Sequence, residues 1–244
     1  MKTNMKSLRR ALLLVVALVA STLSLVGLSS APASADTYNS TAEVRATIAV
    51  RQGGTATVQG RVTFVAPDTK RYYVLAGTAT LQQLAYGSST WANVSSQTIT
   101  EDTGDLTWTV RPAKTTRYRV VYSGGTYTWP DATTDSWNPA TSTAVSVGVA
   151  RDLHDKYSKR THVFKGKVAS YGRKIVIIQK STCADPKAAT CKWKTYKKLR
   201  TTGKGAWSLK LPFNRTKTHF RAVVKAGSGY ITSYSNWVIS TRRI

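Results

Sequence analysis

A set of residues that returns about one hundred positions later restricts this chain to a tandem architecture, because each copy must fold as the same unit. Gly60-Arg61-Val62 returns as Gly166-Lys167-Val168, Leu81-Gln82 as Ile178-Gln179, and Trp91 as Trp193. Gly104, followed four residues later by Trp108, returns as Gly203 and Trp207. Tyr118-Arg119 returns as Phe220-Arg221, and Ser142 and Val145 return as Ser235 and Val238.

Within each copy the apolar residues alternate, which turns one face of a strand to a core and the other to water. Val44, Ala46, Ile48 and Val50 read as one strand, Ala56, Val58 and Val62 as the next, and residues 73–83 as a third. Four more follow at 91–99, around Leu106/Trp108/Val110, around Tyr118/Val120/Tyr122, and around Val145/Val147/Val149. The second copy offers strands at 162–168, 173–180, 192–200, 206–211, 219–225 and 235–240. Gly53-Gly54, Gly124-Gly125 and Gly203-Lys204-Gly205 supply turns, and no credible helix follows residue 35. Parallel sheets need crossover connections, usually helical, so the expected class is all-β and antiparallel.

The Gly-x-Val strand, the Leu/Ile-Gln strand leading to Trp, the Gly-x-x-x-Trp turn and the aromatic-Arg strand resemble the tandem immunoglobulin-like repeat modules of secreted actinobacterial proteins. The resemblance spans residues 41–241. It implies two immunoglobulin-like or fibronectin-like antiparallel sandwiches and an extracellular setting, and it carries over no binding or catalytic residue. The expected division is a signal peptide at 1–35, a first sandwich at 36–150 and a second at 151–244, joined near Ala150 to Asp155. The recurring tryptophans Trp91, Trp108, Trp193 and Trp207 are expected in the cores. Tyr118 is a candidate for a tyrosine-corner hydrogen bond that Phe220 cannot share.

Residues 1–35 have the layout of an export signal, with Lys2, Lys6, Arg9 and Arg10 ahead of an apolar stretch from Ala11 to Leu28. Ala33 and Ala35 suit cleavage after Ala35, leaving no membrane span in the mature chain. Cys183 and Cys191, the two cysteines, are expected to pair in an oxidising compartment as a staple on a short loop. Chain entropy assigns such a loop about 2.5 kcal/mol.

Candidate chemistry is sparse. His154, His162 and His219 show no metal spacing, with His162 expected inward on its strand and His219 outward. Asp131 and Asp135 fall in a long loop, 123–141, and match no calcium motif. That loop also carries Tyr127, Trp129 and Trp137, a candidate stacking platform for a flat ligand. No enzymatic activity, cofactor or metal is expected.

Charge is divided unequally. Residues 36–150 hold nine Lys/Arg against eight Asp/Glu, whereas residues 151–244 hold twenty-three against three, net +20. Period-two alternation over 192–200 turns Lys192, Lys194, Tyr196, Lys198 and Arg200 outward, with Trp193, Thr195, Lys197 and Leu199 inward. Arg221, Lys225, Lys165, Lys167 and Lys210 are expected outward on neighbouring strands. Such a surface suits an anionic extracellular polymer: wall teichoic acid, acidic polysaccharide, or nucleic acid held without sequence preference. The alternative is a structural spacer or adhesion protein with protein partners.

Overall fold

The computed structural model describes residues 35–101 and 103–241. The export segment read at 1–35 lies outside the described residues except for Ala35. Among the described residues every regular element is a strand, and no helix is long and apolar enough to cross a membrane.

The first sandwich comprises β1 (Ala35–Tyr38), β2 (Ser40–Ala46), β3 (Ala49–Arg51), β4 (Ala56–Val65), β5 (Arg71–Tyr73), β6 (Gly77–Ala85), β7 (Ala92–Ile99), β8 (Leu106–Val110), β9 (Thr116–Tyr122), β10 (Gly125–Thr128), β11 (Thr134–Trp137), β12 (Ala140–Thr141) and β13 (Val145–Ala150). One sheet centres on β4, with β2 on one side and β8 and β5 on the other. The facing sheet runs β3-β13-β9-β6-β7, with β12 also on β9. Alternation holds where the sequence is clearest: Val58 and Val62 on β4, Leu106 and Trp108 on β8, and Tyr118, Val120 and Tyr122 on β9 are buried between the sheets. The expected corner bond at Tyr118 is not found among the described residues; the buried tyrosine that reaches backbone is Tyr122, and its acceptor lies far upstream in the chain. Its hydroxyl donates to the Ala76 carbonyl at 2.6 Å, and burial pushes its pKa up to about 12.

Two expected strands are broken. The run from Val44 to Val50 serves both sheets: β2 pairs with β4, β3 pairs parallel with β13, and Ile48 between them is 85% exposed. The stretch 73–83 divides into β5 and β6 at Gly77, whose φ of 109° is one that a glycine adopts without steric cost. The segment 123–141 is no loop. β10 and β11 form a hairpin that β1 extends in parallel, and Trp137 at its end is buried against Phe64.

The second sandwich comprises β14 (Leu153–Ser158), β15 (Val163–Val168), β16 (Ile175–Ser181), β17 (Lys194–Arg200), β18 (Ala206–Lys210), β19 (Thr218–Val224), β20 (Ser233–Tyr234) and β21 (Val238–Ser240). One sheet runs β14-β15-β18; the other runs β17-β16-β19, with β20 and β21 both on β19. Its core gathers Phe164, Ile178, Trp207, Leu211, Phe220 and Val224.

The repeat is carried by shared packing devices. A Cβ on Gly60 would lie 2.8 Å from the Trp108 ring, and one on Gly166 2.6 Å from Trp207, so each glycine makes room for its indole. The register differs by two residues, Trp108 standing opposite Val58 and Trp207 opposite Gly166. A two-residue slip keeps both rings on the inner face. Ser142 Oγ accepts from the Val120 amide at 2.9 Å and Ser235 Oγ from the Ala222 amide at 2.8 Å.

Only Arg151 and Asp152 separate β13 from β14. The turn between β19 and β20 reaches back to the first sandwich, where the Ile231 amide donates to the Val149 carbonyl at 2.9 Å and the Thr115 amide to the Gly229 carbonyl at 2.8 Å. Arg151 is buried there, its guanidinium 3.9 Å from the Tyr230 ring centroid and 5.0 Å from that of Tyr171.

Candidate functional site

The basic residues expected to share one outer surface of the second sandwich fall on three surfaces, in part because the strand expected to align them carries a bulge. Ile178 pairs with Lys197 and Gln179 with Thr195, leaving Tyr196 as the extra residue of β17. A bulge interrupts the period of two, so side chains before and after it no longer share the expected face. Lys198 and Arg200 stay on the outer face. Lys194 stands opposite Lys180, which stands opposite the buried Phe220, so both lysines lie on the inner side at the mouth of the sandwich. Tyr196 follows them, its ring 5.3 Å from that of Phe220. Lys197, expected inward, is exposed.

On the outer face Arg221 is not a free cation. Its guanidinium lies 4.1 Å from the Trp193 ring centroid and 4.5 Å from that of Tyr234, and its Nε donates to Gln179 Oε1 at 2.9 Å. Burial pulls its pKa below the usual arginine value. The first sandwich repeats the arrangement: Arg119 lies 4.3 Å from the Trp91 ring centroid and donates to Gln82 Oε1 at 2.9 Å. Trp91 and Trp193 are therefore half-buried rings under arginines rather than core residues, whereas Trp108 and Trp207 are core. Lys225 is exposed just beyond β19.

The third surface is the outer face of β14, β15 and β18. Cross-strand pairing lines up His154 with Lys167 and Ala206, Lys156 with Lys165 and Ser208, and Ser158 with Val163 and Lys210. Lys156, Lys165, Lys167 and Lys210 are all exposed, and three of them edge a shallow groove of about 550 Å³ that Arg200 borders from the other sheet. Lys156 faces Lys165 directly, a like-charge juxtaposition that destabilises a sheet. Lys156 escaped the sequence reading because β14 lies where the linker was expected, although its alternating His154, Lys156 and Ser158 carried the signal. Lys180 escaped for a different reason: it sits on the inner face, yet beyond the end of the core.

The matching face of the first sandwich has most of its charge paired, Arg45 being the exception. Arg61 forms a two-pronged pair with Asp105, at 2.7 and 2.9 Å, and Arg71 pairs with Glu43 at 2.7 Å. The bond to Arg61 holds the Asp105 carboxyl below its usual value and raises the guanidinium's. On the second sandwich the one such contact among the described residues is between His154 and Asp152, at 2.7 Å, and it is an ion pair only when the imidazole carries a proton.

The remaining candidates do not converge. Trp137 is core, while Tyr127 donates to Glu101 at 2.7 Å and Trp129 Nε1 to Asp135 at 2.9 Å, so the expected platform is two rings packed at 5.0 Å and tied to carboxylates. Asp131 is engaged by Thr133, whose hydrogen bonds lower its pKa. Among the described residues no three His, Cys, Asp or Glu side chains gather as metal ligands. His162 lies in a turn at φ 54°, ahead of β15, bonded to the Tyr157 hydroxyl at 3.1 Å. Cys183 and Cys191 form the expected disulfide.

His219 does lie on the outer face of β19, yet it is fully buried beneath Trp237, with neither ring nitrogen hydrogen-bonded to a side chain. Burial, reinforced by Lys217, lowers its pKa from 6.5. As pH falls, the unfolded chain therefore takes up this proton before the folded one does. Stability is full above the unfolded value of 6.5 and declines below it. Thermal unfolding between pH 7.5 and pH 5.5 will show a falling midpoint that His219→Gln flattens, and an equal slope in both proteins would remove His219 as the cause.

No protein-family model matches the chain, and no curated protein matches it.

Proposed function

We propose that this is an exported, non-enzymatic binding protein that attaches to an anionic extracellular polymer through its second sandwich. The observation that carries the reading is the contrast between two equivalent faces. On β2, β4 and β5 two of the three arginines, Arg61 and Arg71, are paired with Asp105 and Glu43 and only Arg45 is left over, whereas on β14, β15 and β18 none of four lysines has an ion-paired carboxylate among the described residues. An unmatched charge array lowers the stability of the compact state, and solubility alone needs far fewer charges. A polymer with regularly spaced phosphates or sulfates offsets that repulsion and gains entropy by releasing its counterions. Wall teichoic acid, acidic polysaccharide and nucleic acid share this chemistry. The disulfide and the leader read at 1–35 support an oxidising, extracytoplasmic setting.

The test is a salt titration of the protein against teichoic acid, heparin and duplex DNA. Charge-driven attachment makes affinity fall steeply between roughly 50 and 200 mM salt. Polymer binding that survives this range means recognition by shape and hydrogen bonding rather than by charge, and absence of binding at the lowest salt removes the electrostatic reading.

A further inference from the structure

The mouth of the second sandwich holds a second site, formed where β16 and β17 run past the core. A cleft of about 640 Å³ opens between these strands, the disulfide loop and the segment that follows β18. Lys180, Lys192 and Lys194 line it, and among the described residues none of the three is ion-paired. The nearest loop carboxylate, Asp185, instead accepts the Lys187 amide at 2.8 Å.

The rest of the lining supplies donors and a floor. Thr190 and Thr216 bring hydroxyls, and Asn214 contributes an amide nitrogen that is sealed from solvent and has no hydrogen-bond partner. A buried donor without an acceptor is costly and uncommon in folded proteins. The rings of Tyr196 and Phe220 form the floor, with the Lys180 ammonium 5.5 Å from the Tyr196 centroid. Lys180 and Lys194 are held directly opposite each other by strand pairing, a second like-charge juxtaposition in this sandwich.

The disulfide acquires a role from this placement. Ser181 Oγ lies 2.9 Å from Cys183 Sγ and 3.1 Å from Cys191 Sγ, so the cystine is anchored to the end of β16. It fixes the loop that carries Thr190 and the start of the segment that carries Lys192.

We propose that this cleft binds a tetrahedral oxyanion ester, the phosphate or sulfate group of a polymer unit, with the rest of that unit over the two rings. This deepens the attachment reading and rests on it only for the source of the ester. Three ammonium groups and neutral donors complement such an anion, and the aromatic floor takes the apolar side of the attached glycerol or sugar.

Amide NMR shifts recorded while inorganic phosphate, and separately inorganic sulfate, is added to the protein test the site. Saturable shifts at Thr190, Lys192 and Thr216 are expected, with the stronger anion identifying the ester. Lys180→Gln with Lys192→Gln should weaken the response about tenfold or more, and reducing the disulfide should weaken it too. A Lys156→Gln/Lys165→Gln variant should keep it. Shifts that do not saturate, or that are unchanged in the cleft variant, overturn the site. Polymer binding with a silent cleft removes this inference alone, and a responsive cleft without polymer binding removes the attachment reading alone.

Discussion

Replacing Lys156, Lys165, Lys167 and Lys210 together by glutamine will lower affinity for an anionic polymer by at least about a hundredfold near 50 mM salt. The slope of log affinity against log salt will become shallower by roughly three to four, since each lost phosphate contact removes about 0.9. The four ammonium groups share one face because strand pairing places them in adjacent cross-strand rows, and none is ion-paired among the described residues. Thermal stability should not fall, since the substitution removes the opposition of Lys156 and Lys165 without touching the core. A control that neutralises Lys159, Lys187, Lys204 and Lys217, all exposed elsewhere on the same sandwich, removes the same net charge. It should cost much less. Equal losses in the two variants would mean that only net charge matters and that the β14-β15-β18 face is no site.

The outcome on that face illustrates what alternation can and cannot convey. Lys165, Lys167 and Lys210 were legible because their strands are regular and flank buried residues, Phe164, Trp207 and Val168, whose spacing fixes the inner face. The row at 192–200 misled because a bulge at Tyr196 leaves no mark in an alternating pattern. Val94 is the unpaired residue at the matching place in the first sandwich, between Ser95 and Asn93. Comparing the two copies aligns the bulges without disclosing them. The tryptophans separate in the same way. Recurrence identifies a residue that the fold reuses, but Trp108 is reused against a glycine in the core and Trp91 beneath an arginine at the surface. The signal that distinguishes them is the Gln82 and Arg119 pair recurring as Gln179 and Arg221. Those polar residues belong to the framework as much as the apolar ones do.

Arg151→Ala will free the two sandwiches from one another while leaving each folded. The side chain is buried without a carboxylate: its guanidinium lies near the rings of Tyr230 and Tyr171, its terminal nitrogen donates to the Gly227 carbonyl at 3.3 Å, and its Nε has no partner. Desolvated stacking of this kind contributes about 2 kcal/mol, which corresponds to roughly thirtyfold in an opening equilibrium. That loss acts on the turn bearing Tyr230, whose neighbours Gly229 and Ile231 hold the backbone bonds to Thr115 and Val149. Hydrogen exchange at the amides of Thr115 and Ile231 should therefore accelerate by about that factor. The amides of Val120 and Ala222, which donate to Ser142 and Ser235 inside the separate sandwiches, should keep their protection. Arg151→Lys should loosen the junction as well, because an ammonium lacks the flat guanidinium that lies against two rings at once. If Val120 and Ala222 accelerate in step with Thr115 and Ile231, Arg151 supports the folding of the sandwiches themselves. If none of the four changes, the stack contributes nothing to holding them together.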